Sequence, residues 1–260
     1  MLFRSWLATP AHALVGGTDT TSYSAVGELG GASGVLIADN WVLTVAHVAN
    51  RLTAGSSSFV TLSGSATVDA IYTFTGAAYP DNDIALVHLT TAISGVTTPI
   101  LNDTVLTNRA ASLLGSATAA TAQNESPNGV GTVTVQGTQN TYTDSSGVTS
   151  TTNWIVTSGS VYVQGGDSGS ALFKGVVSDS ANAVLLGLAS AAITDINGNH
   201  QSAYVQVASY KSWINSIMAS SGQSARWLST TTVPEPGTWA LMGMGLAGLA
   251  WARRRAAATA

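Results

Sequence analysis

Apolar and polar positions alternate along this chain in short runs, and β-branched residues fill many of them. Gly, Asn, Asp and Ser punctuate the runs, which is the pattern of an all-β sandwich or barrel. Gly34 to Ala38 and Trp41 to His47 read as two strands joined by an Asp39-Asn40 turn, with His47 closing the second. Ile84-Ala85-Leu86-Val87 reads as a further apolar strand, followed by His88. The period changes near the C-terminus, where Tyr210, Trp213, Ile214, Ile217 and Met218 recur at helical spacing and predict a helix over Val207 to Ala219. Ala117 to Asn128 and Thr138 to Asn153 are polar and poor in apolar residues, so they read as long loops, and Asn197 to His200 reads as a turn.

Both ends depart from this pattern. Residues 1–13 carry one positive charge, a few apolar residues and a closing Ala11-His12-Ala13, the form of a truncated signal peptide cut after Ala13; a frayed terminus is the other reading. At the far end, Val233-Pro234-Glu235-Pro236-Gly237 precedes an apolar run over 238–252 and then Arg253-Arg254-Arg255. The prolines break any preceding element, the run suits a short membrane helix, and the arginines would stay cytoplasmic. The segment 233–256 resembles a PEP-CTERM sorting signal. That resemblance implies export from a Gram-negative bacterium to the cell surface or medium, transient inner-membrane anchoring through 238–252, and an exosortase-type partner that removes the tail.

Composition narrows the function classes. Of 260 residues only 8% are charged, and 45% are hydrophobic, which suits a folded domain and not a disordered one. Between Leu14 and Thr232, twelve acidic and five basic residues leave a formal charge of −7. Without a basic stripe, nucleic-acid binding is not expected. The absence of cysteine excludes disulfides and cysteine metal sites. No cofactor is called for.

Candidate chemistry begins at Gly165-Gly166-Asp167-Ser168-Gly169-Ser170, which sets one serine in a glycine-rich turn. Small neighbours let the backbone turn tightly, so that amides can face an oxyanion beside the hydroxyl. Such a run is by itself an ordinary turn; a nucleophile also needs a base and a group that orients it. His12 would leave with the leader, His88 sits after an apolar strand as a structural or surface residue, His200 sits in a turn, and His47 closes a strand, where a lone histidine is by itself a packed or surface residue. Asp81 and Asp83 both compete for the orienting role, and Asp83 is preferred because Ile84-Ala85-Leu86 would bury it.

From Leu14 to about Met218 these segments resemble the chymotrypsin-like (trypsin-fold) serine proteases, in the family's order. Trp41-Val42-Leu43-Thr44-Val45-Ala46-His47 resembles the strand that ends at the catalytic base, and Asp81 to Leu86 the segment with the orienting Asp. Gly166-Asp167-Ser168-Gly169 matches the nucleophile loop, Leu185 to Ser190 the strand beside the specificity pocket, and Ala203 to Asn215 the last strand and terminal helix. The resemblance implies two six-stranded antiparallel β-barrels, and the apolar stripe of the helix is expected to pack on the second. It implies His47, Asp83 and Ser168 as the triad, the amides of Gly166 and Ser168 as the oxyanion hole, and Ser190 as support for Asp83. Leu14-Val15-Gly16-Gly17 resembles the activation sequence, so a cut after Ala13 would free the Leu14 amine to pair with Asp167. The pocket positions are Tyr162, Ala191, Ala192 and Ser202, which imply a small or partly blocked pocket without preference for Lys or Arg. Val48 stands where many relatives carry a half-cystine, so core packing replaces the family's disulfides.

The expected organisation is therefore a signal peptide (1–13), a protease domain (14–222), a linker (223–232) and the sorting segment. The expected function is an exported, monomeric serine endopeptidase acting on protein or peptide substrates. A catalytically silent relative that binds at the cell surface is the second reading, and a structural surface protein the third.

Overall fold

A computed structural model describes residues 14–122, 128–195 and 197–228. The signal peptide and the 238–252 membrane helix of the sequence reading lie outside the described residues. Among the described residues, no helix is long and apolar enough to cross a membrane.

In chain order, β1 (Thr18–Thr20) leads into β2 (Val26–Leu29), β3 (Ala32–Ala38), β4 (Trp41–Thr44), α1 (Ala46–Ala49), β5 (Ser58–Thr61), β6 (Gly64–Thr73) and β7 (Ala85–Leu89). The six strands β2 to β7 close a barrel in the order β2-β3-β4-β7-β6-β5. Its interior is made by alternate residues of short strands, among them Leu29, Leu36, Val42, Phe59, Val68 and Val87, all buried.

The second half contains β8 (Ile100–Leu101), α2 (Asn108–Ser112), β9 (Ser116–Thr121), β10 (Asn128–Thr143), β11 (Thr149–Ser158), β12 (Ala171–Lys174), β13 (Val184–Thr194) and β14 (His200–Gln206). Antiparallel pairings run β9-β10-β11-β14-β13-β12 and back to β9, so a second ring of six strands closes. β1 joins it at β10, and β8 lies parallel to β13. This is the trypsin fold, mostly β, ended by a short helix.

Several expectations change. Strands run within both polar stretches read as loops: β9 lies over 116–121, and β10 and β11 form a long hairpin turned at Asp144, whose carboxylate accepts the amides of Ser146 (2.8 Å) and Val148 (3.0 Å). Over 132–137, exposed Thr132, Thr134 and Gln136 alternate with buried Val133, Val135 and Gly137, so the low apolar content is that of a one-sided strand. His47 does not close a strand, because β4 stops at Thr44 and a helical turn follows. His200 opens β14 and is not in a turn.

The terminal helix also differs in its partner. A 3-10 turn over Val207–Tyr210 leads into α3 (Lys211–Ala219), with Ile214 and Met218 fully buried. Phe74, directly after β6, packs edge-on against Tyr210 (5.0 Å) and Trp213 (5.6 Å), and Trp41 Nε1 donates to Ser221 Oγ (3.2 Å). The helix thus docks on the first barrel, where the aromatic residues needed to receive Tyr210 and Trp213 are found. The chain read as a linker is likewise docked up to Leu228, whose amide donates to Leu101 O (2.8 Å), while Arg226 donates to Thr98 O (3.0 Å).

Candidate active site

Three side chains from distant parts of the chain converge between the barrels. α1 begins directly after buried Val45 and holds His47 at the end of the first barrel's β4. Asp83 precedes the buried run Ile84-Ala85-Leu86 and is itself fully buried. Its carboxylate accepts three hydrogen bonds: Oδ1 from the His47 amide (2.9 Å), Oδ2 from His47 Nδ1 (2.8 Å) and Oδ2 from Ser190 Oγ (2.6 Å). A buried carboxylate is tolerated only when so satisfied. Because a carboxylate is acceptor-only, Nδ1 carries the ring proton, and Nε2 is free to accept from Ser168 Oγ at 2.8 Å. The imidazole is 20% exposed, so its outer edge opens to a cleft.

Ser168 sits in a loop pinned from both barrels. Its carbonyl accepts the Ser33 amide from β3 (2.8 Å), and the next amide, Gly169 N–H, donates to Ala189 O on β13 (2.8 Å). Within the loop Asp167 N–H donates to Gln164 O (3.0 Å) and Ser170 N–H to Asp167 O (2.9 Å). The amides of Gly166 and Ser168 donate to no group among the described residues. Two unengaged N–H groups beside a hydroxyl are what a developing oxyanion requires.

A family model described as Trypsin matches residues 14–214, a span that holds all three converging side chains. The chain belongs to the trypsin family. A second family model, described as PEP-CTERM protein-sorting motif, matches residues 232–255. Together they make this an exported trypsin-fold protein, marked for sorting to the surface of a Gram-negative cell. No curated protein matches it.

In this trypsin-family chain the cleft beside His47 and Ser168 has a volume of about 380 Å³ and is walled by Ser190, Ala191, Ala192, Gln164 and Tyr79. Tyr79 stands edge-on to the His47 ring at 5.4 Å. The four expected pocket positions do not gather in this cleft. Ala191 and Ala192 line it, but Tyr162 lines a separate cavity of about 530 Å³ with Gln136, Asp195 and Asn199. Two contacts hold Tyr162 there: its backbone bridges Val15 (3.1 and 3.2 Å), and its ring stacks on His200 at 4.3 Å. Ser202 is fully buried, and its hydroxyl accepts the Val163 amide (2.9 Å). His88, outside the site, bonds Asp69 (2.6 Å) and Asn40 (2.7 Å) as a structural residue of the first barrel. Among the described residues no group of three His, Asp or Glu side chains forms a metal-ligand cluster.

Behind the nucleophile lies a polar chain that the sequence reading missed. Ala122 N–H donates to Ser33 Oγ (3.1 Å), Ser33 Oγ meets Thr121 Oγ1 (2.9 Å), and Thr121 Oγ1 donates to Asp167 Oδ1 (3.1 Å). Gln164 N–H donates to Asp167 Oδ2 (2.7 Å). Asp167 is fully buried, and desolvation pushes its carboxyl up to about 7 against the lowering effect of the Gln164 and Thr121 bonds.

Gly169 marks the closest approach of the loop to the first barrel. Its φ is +81°, and a Cβ there would fall on Ser33 O and Thr44 Oγ1. Gly169→Ala is therefore expected to destabilise the fold by about 3 kcal/mol or more, as read from urea unfolding. A change within error of wild type would show that the loop can withdraw from β3.

Proposed function

We propose that this protein is a serine endopeptidase that hydrolyses peptide bonds through an acyl-enzyme. The observation that carries the reading is the unbroken hydrogen-bond chain Asp83–His47–Ser168, at 2.8 Å for each of its two links. Ser168 Oγ attacks the scissile carbonyl while His47 Nε2 takes its proton, then returns it to the leaving amine. Asp83 keeps the ring in the Nδ1–H tautomer and stabilises the imidazolium, and Ser190 holds Asp83 in turn. The amides of Gly166 and Ser168 receive the oxyanion, where one donor is typically worth about 2.7–4 kcal/mol. Ala191 and Ala192 leave a narrow apolar wall suited to small side chains. Covalent labelling by a fluorophosphonate tests the reading, since a silent surface-binding relative would fold and yet leave Ser168 unmodified.

We further propose that residues 1–13 are a signal peptide whose removal also activates the enzyme, that the protease unit runs from Leu14 to Leu228, and that the tail crosses the inner membrane transiently until an exosortase-type enzyme cuts it. Leu14 is fully buried in the cluster that contains Tyr204, and the Asp167 charge raises the Tyr204 hydroxyl further after burial has done so. The α-amine of Leu14 released there would give Asp167 a cation.

This makes stability depend on pH differently before and after the cut. With no amine, the folded-state value of Asp167 (about 7) lies above the ordinary 3.8. Its contribution is then fully present below pH ~4 and lost as pH rises through 7, on the order of 4 kcal/mol at most. With the amine paired, the carboxylate is favoured and that loss disappears. Urea unfolding at pH 4.5 and 7.5 of the chain with and without residues 1–13 is expected to show the decline only in the longer chain. The same decline in both would refute pairing.

A further inference from the structure

The cleft contains one permanent charge, Arg51, and the triad does not use it. α1 continues as a helical turn through Asn50, with Arg51 N–H donating to Val48 O (3.0 Å) and Leu52 N–H to Ala49 O (3.0 Å). His47 and Arg51 are four residues apart on that turn, so they project from one face. Arg51 is exposed and lines the same cleft as His47 and Ser168. Its guanidinium has no carboxylate or other hydrogen-bond partner among the described residues. Arg226 and Lys211 differ, being tied to Asn182 (2.7 Å) and Asp103 (3.5 Å). The remaining wall, Tyr79, Gln164, Gly165, Ala191 and Ala192, carries no charge.

We propose that Arg51 sets specificity by pairing with a carboxylate side chain of the substrate close to the scissile bond. The proposal rests on the peptidase reading and adds a substrate class to it, peptides with Asp or Glu flanking the cleaved bond. A guanidinium presents a planar fork of donors that a carboxylate meets two at a time. The body around it is acidic, at −7 over Leu14 to Thr232, so its long-range field repels such peptides and attraction must be local. A partner for Arg51 supplied only by substrate strengthens binding without a competing internal acid to displace.

The test is a peptide series in which Glu and its neutral isostere Gln are exchanged at each position around the cleaved bond. The exported, processed protein is compared with its Arg51→Gln, Arg51→Lys and Arg51→Glu variants. Wild type is expected to favour Glu over Gln by about three- to tenfold in kcat/KM at one position. The preference should shrink as salt shortens the Debye length from about 8 Å to about 3 Å. Arg51→Gln should abolish it, Arg51→Lys keep part of it, and Arg51→Glu replace it by a preference for Lys, a gain that a misfolded protein cannot show. A wild-type protein that labels with fluorophosphonate and cleaves peptides without any Glu preference overturns the role of Arg51 alone, as does a preference that survives Arg51→Gln. A folded wild type that neither labels nor cleaves overturns the peptidase reading as well.

Discussion

Ser168→Ala is expected to abolish fluorophosphonate labelling and to lower peptide turnover by about 10⁵- to 10⁶-fold. The lost atom is the Oγ that lies 2.8 Å from His47 Nε2. No buried partner is orphaned, because the loop is held by its backbone: Ser168 O still accepts from Ser33, and Gly169 N–H still donates to Ala189. Stability should therefore move by less than about 1 kcal/mol, and loss of turnover cannot be assigned to unfolding. What residual rate remains would come from substrate binding and from the two unengaged amides of Gly166 and Ser168. A variant that still labels would place the nucleophile elsewhere and end the proposed mechanism.

Asp83→Asn is expected to lower kcat by about 10⁴-fold with little change in KM. An amide in place of the carboxylate can turn its N–H₂ toward His47 Nδ1, which then has to accept. The ring proton moves to Nε2, and the nitrogen facing Ser168 becomes a donor that cannot take the serine's proton. Substrate still fits, since Asp83 is buried behind the imidazole and does not line the cleft. The parallel variant Asp81→Asn is expected to leave the rate within a few-fold of wild type, because the Asp81 carboxylate makes no bond to His47 and one of its oxygens has no hydrogen-bond partner among the described residues. Single-turnover kinetics on both variants decide the matter; a large fall for Asp81→Asn and a small one for Asp83→Asn would reverse the assignment.

The parts of this molecule that were readable from sequence are those where chemistry and local pattern coincide. His47 follows an apolar strand, Asp83 precedes one, and Ser168 lies among glycines whose backbone freedom the turn uses, as Gly166 (φ +101°) and Gly169 (φ +81°) show. The rest depends on contacts far apart in the chain. Thr-rich β10 and β11 are strands because they complete a ring, and a one-sided strand of Val and Thr looks in composition like a loop. The resemblance places Tyr162, six residues before Ser168, in the specificity pocket, but a ring at that place is steered by what it can stack on, here His200. Helical spacing predicts the buried face of α3 but assigns it to the wrong barrel, since Phe74, which receives it, lies more than a hundred residues upstream. The Asp167 network stayed hidden because hydroxyls in strands carry no signal of partnership until the strands are assembled.

The pinning of the nucleophile loop by Ser33 of the first barrel has a mechanical consequence. The base rides on one half of the molecule and the nucleophile on the other, and no disulfide staples the halves. Their alignment rests on contacts that cross between the barrels, among them Ser33 N–H to Ser168 O (2.8 Å), Ser33 Oγ to Thr121 Oγ1 (2.9 Å) and Ser190 Oγ to Asp83 Oδ2 (2.6 Å). A slip of about 1 Å between reacting groups can cost 10²-fold in rate, far less movement than is needed to melt either barrel. The distance from Ser168 to His47 is therefore a gauge of how the two halves register, and heat or strain that loosens that register would silence the chemistry while every strand is still in place.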